Sequence, residues 1–253
     1  MDQRLVADGL AESRARAQAL IMAGVVLVDD LPVDKAGARV LPEARVRLRA
    51  APARFVSRGG DKLAGALDDL AVDPAGWRCL DVGASTGGFT DCLLQCGAAA
   101  VVAVDVGYGQ LHPRLRDDPR VRVHERTNAR ELAPEHVAQL DGSVDLVVID
   151  ASFISLRLLL PAVAAVAPHA RVIALVKPQF EVGRDRVGKG GVVRDDADRQ
   201  AAVEQVAGSA ARLGYAVVGQ VDSRLPGPKG NREIFLHLGR SGADSVGESE
   251  ISG

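Results

Sequence analysis

The sequence predicts an α/β protein: a mostly parallel, seven-stranded sheet with helices on both faces, preceded by a small α+β module. The first observation behind this fold class is an alternation, over residues 80–238, of short Val/Leu/Ile runs with helix-like segments, which is typical of repeated strand–helix units. The second observation is the composition. Hydrophobic residues make up 47% of the 253 residues and aromatic residues only 3%, which supports a sizeable core made of Ala, Val and Leu.

The N-terminal module, residues 1–49, is predicted to contain a helix with clear end signals. Ser13 is a suitable N-cap for a helix from Arg14 to about Ala23, and Gly24 can adopt the left-handed conformation that stops it. Residues 1–54 carry nine Lys/Arg against seven Asp/Glu, whereas the rest of the chain is acidic overall. This asymmetry is compatible with a nucleic-acid-binding N-terminus without establishing one.

Short strands and a linker complete this module. Residues 25–28 and 31–33 flank the turn-prone pair Asp29-Asp30 and predict a hairpin. Residues 46–49 alternate apolar and basic side chains, as one more strand would. The segment 50–54 is short and apolar with a central proline, and it is predicted to be a linker.

The larger domain is predicted over residues 55–239 and supplies the sheet. Its seven strands are predicted at residues 80–83, 101–106, 121–125, 144–150, 171–177, 215–222 and 233–238. Helices are predicted after the first strand as far as Cys96, near residues 156–166 and over residues 195–213. Residues 240–253 are rich in Ser, Gly and Glu, which is typical of a disordered tail.

The cysteines and the apolar runs exclude several classes of protein. Cys79, Cys92 and Cys96 lack the tightly spaced pairs of a zinc site, and sparse cysteines are typical of a reducing cytoplasm. No signal peptide opens the chain, and apolar runs such as residues 158–167 are too short to cross a bilayer. The sequence therefore predicts a cytoplasmic protein with no metal and no membrane segment.

A glycine-rich loop is predicted between the first strand of the sheet and the following helix. Its pattern is Asp81-x-Gly83-x-x-x-Gly87-Gly88, in which glycines let the backbone approach a ligand and free helix N–H groups face it. The pattern differs from the G-x-G-x-x-G of dinucleotide enzymes, which disfavours NAD. Asp105 ends the second strand, where its carboxylate could accept both ribose hydroxyls of an adenosine. NAD and S-adenosylmethionine sites share that feature.

The glycine loop resembles the cofactor loop of the FtsJ-like branch of methyltransferases, whose hallmark is a Lys-Asp-Lys-Glu tetrad acting on a ribose hydroxyl. The matching residues, in the expected order, are Lys62, Asp150, Lys177 and Glu233. The resemblance implies a Rossmann-like class I methyltransferase domain with S-adenosylmethionine as its cofactor. The cofactor-binding residues that it implies are Asp81, Gly83, Ser85, Thr86, Gly87, Gly88, Phe89, Asp105 and Asn128. Asn128 would contact the adenine through its amide or its backbone.

The tetrad suits the chemistry of a ribose hydroxyl, which is a poor nucleophile at neutral pH and has to lose its proton as it attacks the sulfonium methyl. Three of its members stand at predicted strand ends, where open α/β sheets place their ligands. We expect Lys177 to take the proton or to stabilise the developing alkoxide. Lys62 would orient the hydroxyl, and Asp150 and Glu233 would position and tune the two lysines.

The N-terminal module carries a second resemblance, on residues 9–18 and on the Gly24-Val25 and Asp29-Asp30 pairs beyond them. These features are similar to the S-four RNA-binding fold, named after a small-subunit ribosomal protein. The RNA contacts that this resemblance implies are Arg14, Arg16, Gln18 and Lys35. The alternative is a helix face that is only solvated.

Basic side chains in two loops are expected near the mouth of the catalytic site, where they could hold RNA phosphates. They are Arg184, Arg186 and Lys189 after Lys177, and Arg224, Lys229 and Arg232 before Glu233. Arg58, before Lys62, is a further predicted RNA contact. Loops that are merely charge-rich and solvated are the alternative.

The order of the two modules, with Ser57-Arg58-Gly59-Gly60 between them, resembles the TlyA family over roughly residues 2–239. That family is described both as a haemolysin and as a ribosomal RNA methyltransferase. The resemblance implies methyl transfer to cytidine 2′-hydroxyls of 16S and 23S ribosomal RNA, with ribosomal subunits as partners. A non-catalytic RNA-binding or ribosome assembly factor is the first alternative. A haemolysin is opposed by the lack of a membrane-insertable segment in the sequence. The sequence predicts no oligomeric state.

Overall fold

The computed structural model describes residues 1–49, 53–140, 142–227 and 229–240, without the side chain of Arg184. The chain divides into two compact units, Met1–Ala53 and Arg54–Gly253. Residues 50–52 of the predicted linker lie outside the described residues, and so does the predicted tail after residue 240.

The N-terminal unit consists of two helices and a three-stranded antiparallel sheet. Its elements are α1 (Asp2–Ala7), α2 (Arg14–Met22), β1 (Val26–Val28), β2 (Leu31–Pro32) and β3 (Val46–Leu48). The strand order is β2-β1-β3, with both pairings antiparallel. The predicted hairpin and the predicted further strand are thus confirmed.

Signals in the sequence explain the bounds of α2. The Ser13 hydroxyl accepts a hydrogen bond from the Arg16 N–H at 3.2 Å, which satisfies one of the N–H groups that a helix start leaves unpaired. Gly24 has a φ of 67°, the left-handed conformation that glycine adopts without strain. Ile21 is fully buried in the core of this unit, so packing holds the helix that the end signals delimit.

The larger unit is a seven-stranded sheet with helices on both faces. Its strands are β4 (Arg78–Val82), β5 (Ala100–Val104), β6 (Val121–His124), β7 (Leu146–Ile149), β8 (Arg171–Val176), β9 (Tyr215–Asp222) and β10 (Ile234–Arg240). Its helices are α3 (Arg58–Asp69), α4 (Gly88–Gln95), α5 (Pro113–Arg116), α6 (Pro134–Val137), α7 (Leu160–Val166), α8 (Pro178–Glu181) and α9 (Asp196–Arg212). Short 3₁₀ turns lie at Ala129–Glu131, Ala138–Leu140, Leu156–Leu158 and Arg184–Arg186.

The strand order is β6-β5-β4-β7-β8-β10-β9. Strands β4 to β8 are parallel, and β10 runs antiparallel to both β8 and β9. This arrangement confirms the predicted, mostly parallel, seven-stranded sheet. The strand that follows β4 in the chain, β5, lies on one side of the β4-β7 pair, whereas β8, which follows β7, lies on the other side. A crevice therefore opens between the carboxyl ends of β4 and β7. Ligands of open α/β sheets bind at such a reversal.

Alternation along the strands divides the core into two apolar layers. Val147 and Ile149 of β7 lie in one layer, together with side chains of α7 and α9. Leu146 and Val148 lie in the other layer, together with side chains of α3 and α4. All four are completely buried, and burying each such side chain stabilises the fold by about 1.5–3 kcal/mol.

Helix α3 was not among the predicted helices. It contains Gly59, Gly60 and Gly65, and glycine is about 1 kcal/mol less favourable than alanine inside a helix. Packing overrides this propensity, because a Cβ on Gly60 would overlap with the ring of Phe55. Ser57 caps the helix by accepting the Gly59 N–H at 3.3 Å. Glycine at these positions therefore permits close packing of α3. The same glycines make the helix difficult to predict from the sequence.

Candidate active site

The loop after β4 lies tightly against the end of β7. Gly83 and Gly87 have φ values of 87° and 95°, and Ser85 has a φ of 50°, which are conformations that glycine adopts far more readily than other residues. A Cβ on Gly83 would lie 2.7 Å from the carbonyl oxygen of Asp150, so this position requires glycine. The course of the loop fits the close backbone approach that a cofactor loop needs.

Three cavities meet at this edge of the sheet, and Ser152 lines all of them. The α3 cavity, of about 450 Å³, is lined by residues that include Ser57, Lys62, Thr86, Phe89, Asp150 and Lys177. The Asp105 cavity, of about 530 Å³, is lined by residues that include Gly83, Ser85, Asp105, Asn128 and Ile154. The Phe180 cavity, of about 250 Å³, is lined by residues that include Phe153, Lys177, Gln179, Phe180, Lys229 and Glu233.

Asp105 connects the glycine loop to its cavity. Its Oδ2 accepts the Ser85 N–H at 2.8 Å, and its Oδ1 accepts the Gly107 N–H at 2.6 Å. Each carboxylate oxygen has a further lone pair, so the half-buried Asp105 can still accept hydroxyl groups from the cavity. The geometry suits a pair of ribose hydroxyls, and it couples their binding to the conformation of the loop.

Gly88 brings the first turn of α4 against the first turn of α3. A Cβ on Gly88 would overlap with the Ser57 hydroxyl and lie 2.8 Å from the Gly60 nitrogen. The starts of both helices therefore lie together at the α3 cavity, whose wall includes Gly59 and Gly88. Free N–H groups at helix starts favour a negatively charged group. Ser57 and Gly59 were missed by the sequence analysis because α3 was missed.

Asp81 does not face the cavities, which corrects the predicted cofactor contact. It is fully buried, and its Oδ2 accepts the Thr90 hydroxyl at 2.6 Å. Burial raises the pKa of Asp81 to about 7, and the nearby Asp150 carboxylate adds to this rise. Asp81 therefore fastens α4 to β4. Gly87 also faces away from the cavities, towards Leu115, and its backbone starts α4.

Asn128 lines the Asp105 cavity, but its amide is engaged within its own turn. Its Oδ1 accepts the Arg130 N–H at 3.1 Å, and its Nδ2 donates to Glu131 Oε1 at 3.2 Å. Of the two predicted ways to contact an adenine, this geometry favours the backbone of Asn128.

The structure brings the four predicted tetrad residues together as two ion pairs. Lys177 Nζ lies 2.6 Å from Asp150 Oδ1, and Lys62 Nζ lies 2.5 Å from Glu233 Oε2. Both lysines line the α3 cavity with Asp150, and Lys177 also lines the Phe180 cavity with Glu233. Both lysines and Glu233 are buried. Buried charges of this kind persist only when paired.

Ser152 is a further contact of Lys177 that the sequence analysis missed. Lys177 Nζ donates to the Ser152 hydroxyl at 2.7 Å, so two groups of the connection after β7 hold this ammonium. A polar residue two positions after a strand-end aspartate was the available signal. That signal is weak, because serines are common in connections of every kind.

An aromatic pair borders the Phe180 cavity and was also missed. The ring of Phe153 is 91% exposed, and its centroid lies 5.3 Å from that of Phe180. Phe153 has a φ of 65°, which is rare for a bulky residue. An exposed ring on a strained backbone is typical of a functional site rather than of a core.

The predicted RNA contacts of the larger unit differ in their availability. Arg58 and Lys229 are exposed and line the α3 and Phe180 cavities, respectively. Lys189 is exposed, and Arg186 Nη1 lies 3.4 Å from Asp198 Oδ1. Arg232 is exposed, and its Nη2 lies 3.9 Å from Asp222 Oδ2. The predicted side-chain contact of Arg184 lies outside the described residues.

Arg224 pairs with two aspartates of α3, and its predicted contact with RNA stays a prediction. Its Nη2 lies 2.7 Å from Asp69 Oδ1 and its Nη1 lies 3.3 Å from Asp68 Oδ2. The side chain also packs over Gly65, where a Cβ would lie 2.8 Å from Arg224 Cδ. Hydrogen bonding to Arg224 lowers the pKa of Asp69. The guanidinium thus fastens the end of α3 to the connection before β10.

Two of the predicted RNA contacts in the N-terminal unit are engaged by Asp2. Arg14 Nη2 and Gln18 Nε2 each lie 3.0 Å from Asp2 Oδ2. The hydrogen bond from Gln18, followed by that from Arg14, lowers the pKa of Asp2 to about 2. Arg14 and Gln18 therefore join α2 to α1, while Arg16 and Lys35 remain exposed.

No group of three or more His, Cys, Asp or Glu side chains in the described part of the chain is placed to hold a metal ion. Among the same residues, no helix combines the length and the apolar character needed to cross a membrane.

Known proteins share both parts of this architecture. The family model of the FtsJ-like methyltransferases matches residues 55–240, and the family model of the S4 domain matches residues 2–46. The 16S/23S rRNA (cytidine-2′-O)-methyltransferase TlyA of Mycobacterium tuberculosis is 53% identical over 94% of this chain and 88% of its own. Hemolysin A of Brachyspira hyodysenteriae is 36% identical over 94% of this chain and 98% of its own.

A solved structure shows the same likeness. The chain of a candidate hemolysin from Streptococcus thermophilus has a TM-score of 0.72 and 40% sequence identity, with 95% of this chain and 88% of that chain covered. The resemblances that the glycine loop, the tetrad and the N-terminal helix predicted are therefore confirmed. The chain belongs to the TlyA family of FtsJ-like, S-adenosylmethionine-dependent methyltransferases with an N-terminal S4 domain.

Proposed function

We propose that this protein transfers the methyl group of S-adenosylmethionine to 2′-hydroxyls of cytidines in 16S and 23S ribosomal RNA. The observation that carries the proposal is the pairing of Lys177 with Asp150 and of Lys62 with Glu233 beside the glycine loop. Two buried lysine side chains at one cavity suit a reaction in which a hydroxyl loses its proton. The RNA and the cytidine come from the named activity of the Mycobacterium tuberculosis relative.

The cofactor residues follow from the cavities. S-adenosylmethionine supplies an electrophilic methyl group on its sulfonium. Asp105 would accept the ribose hydroxyls, with the backbone of Asn128 beside the adenine. The amino-acid end would lie in the α3 cavity, near Thr86 and Phe89, with its carboxylate at the joined starts of α3 and α4. Gly83 lines both cavities, where these two parts of the cofactor would join.

Lys177 is the residue proposed to handle the proton. As a neutral amine, it can take the proton of the ribose hydroxyl with its lone pair. Asp150 then stabilises the ammonium that forms, since its Oδ1 lies 2.6 Å from Lys177 Nζ. The Ser152 hydroxyl, 2.7 Å from the same nitrogen, restricts the directions in which the amine can point.

Lys62 is proposed to remain charged. Its partner Glu233 is completely buried and compensates the ammonium inside the protein. From the wall of the α3 cavity, Lys62 would orient the hydroxyl and stabilise the negative charge that develops on its oxygen.

The Phe180 cavity is the proposed place for the base of the target nucleotide. A 2′-hydroxyl lies close to its own base, and this cavity borders both Lys177 and Glu233. Phe153 and Phe180 give it aromatic walls, which suit stacking on an unpaired base. The proposed substrate is therefore a cytidine that is single-stranded or extruded from its helix.

The S4 domain is proposed to hold the RNA backbone. Arg16 and Lys35 of this domain are exposed, as is Lys189 of the methyltransferase domain, and each could contact phosphates. Phosphate contacts would make RNA binding strongly salt-dependent. Because the proposed substrate is ribosomal RNA, the proposed location of the protein is the cytoplasm.

Incubation with separate ribosomal subunits and with naked ribosomal RNA, in the presence of radiolabelled S-adenosylmethionine, tests the proposed activity. We expect label on cytidine 2′-oxygens, mapped by nuclease digestion and mass spectrometry. The Lys177→Ala variant is the control for contaminating activity. Protein that binds these RNAs tightly but transfers no label to any of them would instead be a non-catalytic RNA-binding factor.

A further inference from the structure

Residues 150–156, the connection after β7, are fastened at both ends to residues 177–181, which follow β8. Near β7, Lys177 contacts Asp150 and Ser152. At the far end, the fastening group is the carboxylate of Glu181. Neither the tetrad nor the cofactor loop includes Glu181, and its carboxylate has no part in the proposed chemistry.

Glu181 is a buried carboxylate with two specific donors. Its side chain is 1% exposed. Its Oε1 accepts the Leu156 N–H at 2.8 Å, and its Oε2 accepts the Ser155 hydroxyl at 2.5 Å. Burial raises the pKa of Glu181, against the effect of these two hydrogen bonds and of Arg157. Burying a carboxylate is costly, and an apolar residue would fill this space without that cost.

The segment that Glu181 fastens is strained between its two anchors. Phe153 lies between them with a φ of 65° and a ring that is 91% exposed. Burial cannot hold such a residue in place, because most of its ring faces solvent. The conformation of Phe153 therefore depends on its contact with Phe180 and on the anchors of the segment, and loss of one anchor would let Phe153 relax towards an ordinary backbone conformation. Relaxation would shift Ser152, its neighbour, relative to Lys177.

We propose that Glu181 is a positioning residue for the methyl transfer. By holding Ser155 and Leu156, it keeps residues 150–156 in the conformation in which Asp150 and Ser152 contact Lys177 Nζ. Glu181 acts only through these residues and touches no substrate. The inference rests on the proposed function, because it takes Lys177 as the residue that handles the proton.

Three variants of the full chain separate positioning from general stability. Glu181→Gln keeps an acceptor for the Leu156 N–H and an amide that can donate to the Ser155 oxygen. Glu181→Ala removes both. Val206→Ala, at a completely buried position of α9, lowers stability without removing a fastening contact. Each is assayed for kcat, for KM with ribosomal RNA, for the pH profile of kcat, and for amide hydrogen exchange over residues 150–156.

We expect Glu181→Ala to lower kcat by between about tenfold and a hundredfold, the scale of a small misplacement of reacting groups. The pH profile of its kcat should also differ from that of the wild type, since the contacts of Asp150 and Ser152 at the site are no longer fixed. Exchange of the Leu156 amide should accelerate. Glu181→Gln should restore the pH profile and the protection, and Val206→Ala should show the wild-type pH profile.

Two results would overturn the inference. One is a Glu181→Ala variant that keeps the kcat and the pH profile of the wild type at a temperature where it is folded. The other is unchanged protection of residues 150–156 in that variant, a result that does not depend on activity. A wild-type protein that methylates no ribosomal RNA, although residues 150–156 depend on Glu181, would overturn the proposed function instead.

Discussion

Lys62 Nζ lies 2.5 Å from Glu233 Oε2, although the two residues are 171 positions apart along the chain. Their side chains are 9% and 0% exposed, so neither charge is stabilised by bulk water. Each charge loses its hydration on burial, so a pair of this kind adds little to the free energy of unfolding. Its main effect is to fix the positions of the two side chains. The pair joins α3 to the start of β10 and fixes one wall of the α3 cavity.

Breaking this pair should therefore be far more damaging than replacing it. We expect Glu233→Ala to lower the free energy of unfolding by about 3–5 kcal/mol, because Lys62 stays buried without a partner. The double variant Lys62→Met, Glu233→Leu should recover most of that loss and still transfer no methyl group. Denaturant unfolding and the methylation assay measure the two effects. A stable Glu233→Ala variant would mean that Lys62 finds another partner.

Arginine at position 177 should abolish methyl transfer. Arginine keeps the positive charge beside Asp150, but its pKa lies above about 12 and it cannot act as a base. Lys177→Arg and Lys177→Ala should both be inactive, with cofactor affinity and RNA affinity close to those of the wild type. Single-turnover methylation, with enzyme in excess of RNA and with saturating cofactor, measures the effect. Substantial activity in Lys177→Arg would reduce Lys177 to an electrostatic partner.

Removal of the Asp105 carboxylate should weaken the binding of the cofactor. Asp105→Ala leaves the ribose hydroxyls without their acceptor and frees the Ser85 N–H that Asp105 now holds. We expect a loss of about 1–3 kcal/mol in the binding of S-adenosylmethionine, as for buried hydrogen bonds in general. Isothermal titration calorimetry measures it, with Glu204→Ala on the exposed side of α9 as the control. Equal affinities of the two variants would place the cofactor elsewhere.

Asp81 should make stability fall as the pH rises. Its pKa is raised from 3.8 to about 7, so the folded state holds a proton that the unfolded state releases between these values. An acid of this kind stabilises the fold at low pH, and its contribution is lost as the pH rises towards about 7. Asp81→Asn cannot ionise and keeps an acceptor for Thr90.

The stability of Asp81→Asn relative to the wild type should therefore increase from about pH 4 to about pH 7. Denaturant titrations across that range measure the difference. A constant difference between the two proteins would show that Asp81 has an ordinary pKa in the folded state.

Arg14 and Arg16 should have separable effects. Arg16 is exposed, so Arg16→Ala should weaken RNA binding and reduce its salt dependence by about one phosphate contact, with unchanged stability. Arg14→Ala should also destabilise the N-terminal unit, because Asp2 loses a partner. Filter binding across salt concentrations, together with thermal unfolding, distinguishes the two. Equal RNA affinity of Arg16→Ala and the wild type at every salt concentration would remove Arg16 from the RNA surface.

Features written in short stretches of the chain were predictable from the sequence. Val/Leu/Ile runs placed the seven strands, although several bounds shifted by one or two residues. The predicted end signals of α2, Ser13 and Gly24, are those observed. Such features depend on neighbouring residues, through capping, turn chemistry and side-chain alternation. The tetrad residues and their order were also predictable from the sequence, because parallel strands bring their ends to one edge of the sheet.

Other features depend on distant parts of the chain, and only the tertiary structure decided them. The sequence placed Asp81 with the cofactor and Arg14 and Arg224 with RNA. The fold instead buries Asp81 against Thr90. It also pairs the two arginines, whose RNA contacts stay predictions, with Asp2 and with Asp68 and Asp69. A charged side chain has the same appearance in a sequence whether it faces a ligand or a buried partner.

By itself, the sequence determined the sheet, the glycine loop and the four candidate residues of the tetrad. The tertiary structure decided that these four form two buried pairs, that Ser152 holds Lys177, and that Glu181 fastens the segment carrying Ser152. It also decided that α3 exists despite three glycines, because Phe55 packs against Gly60 and Arg224 packs over Gly65. The physical reason is the same in each case: the free energy of these contacts comes from burial and pairing across the fold, which no local pattern records.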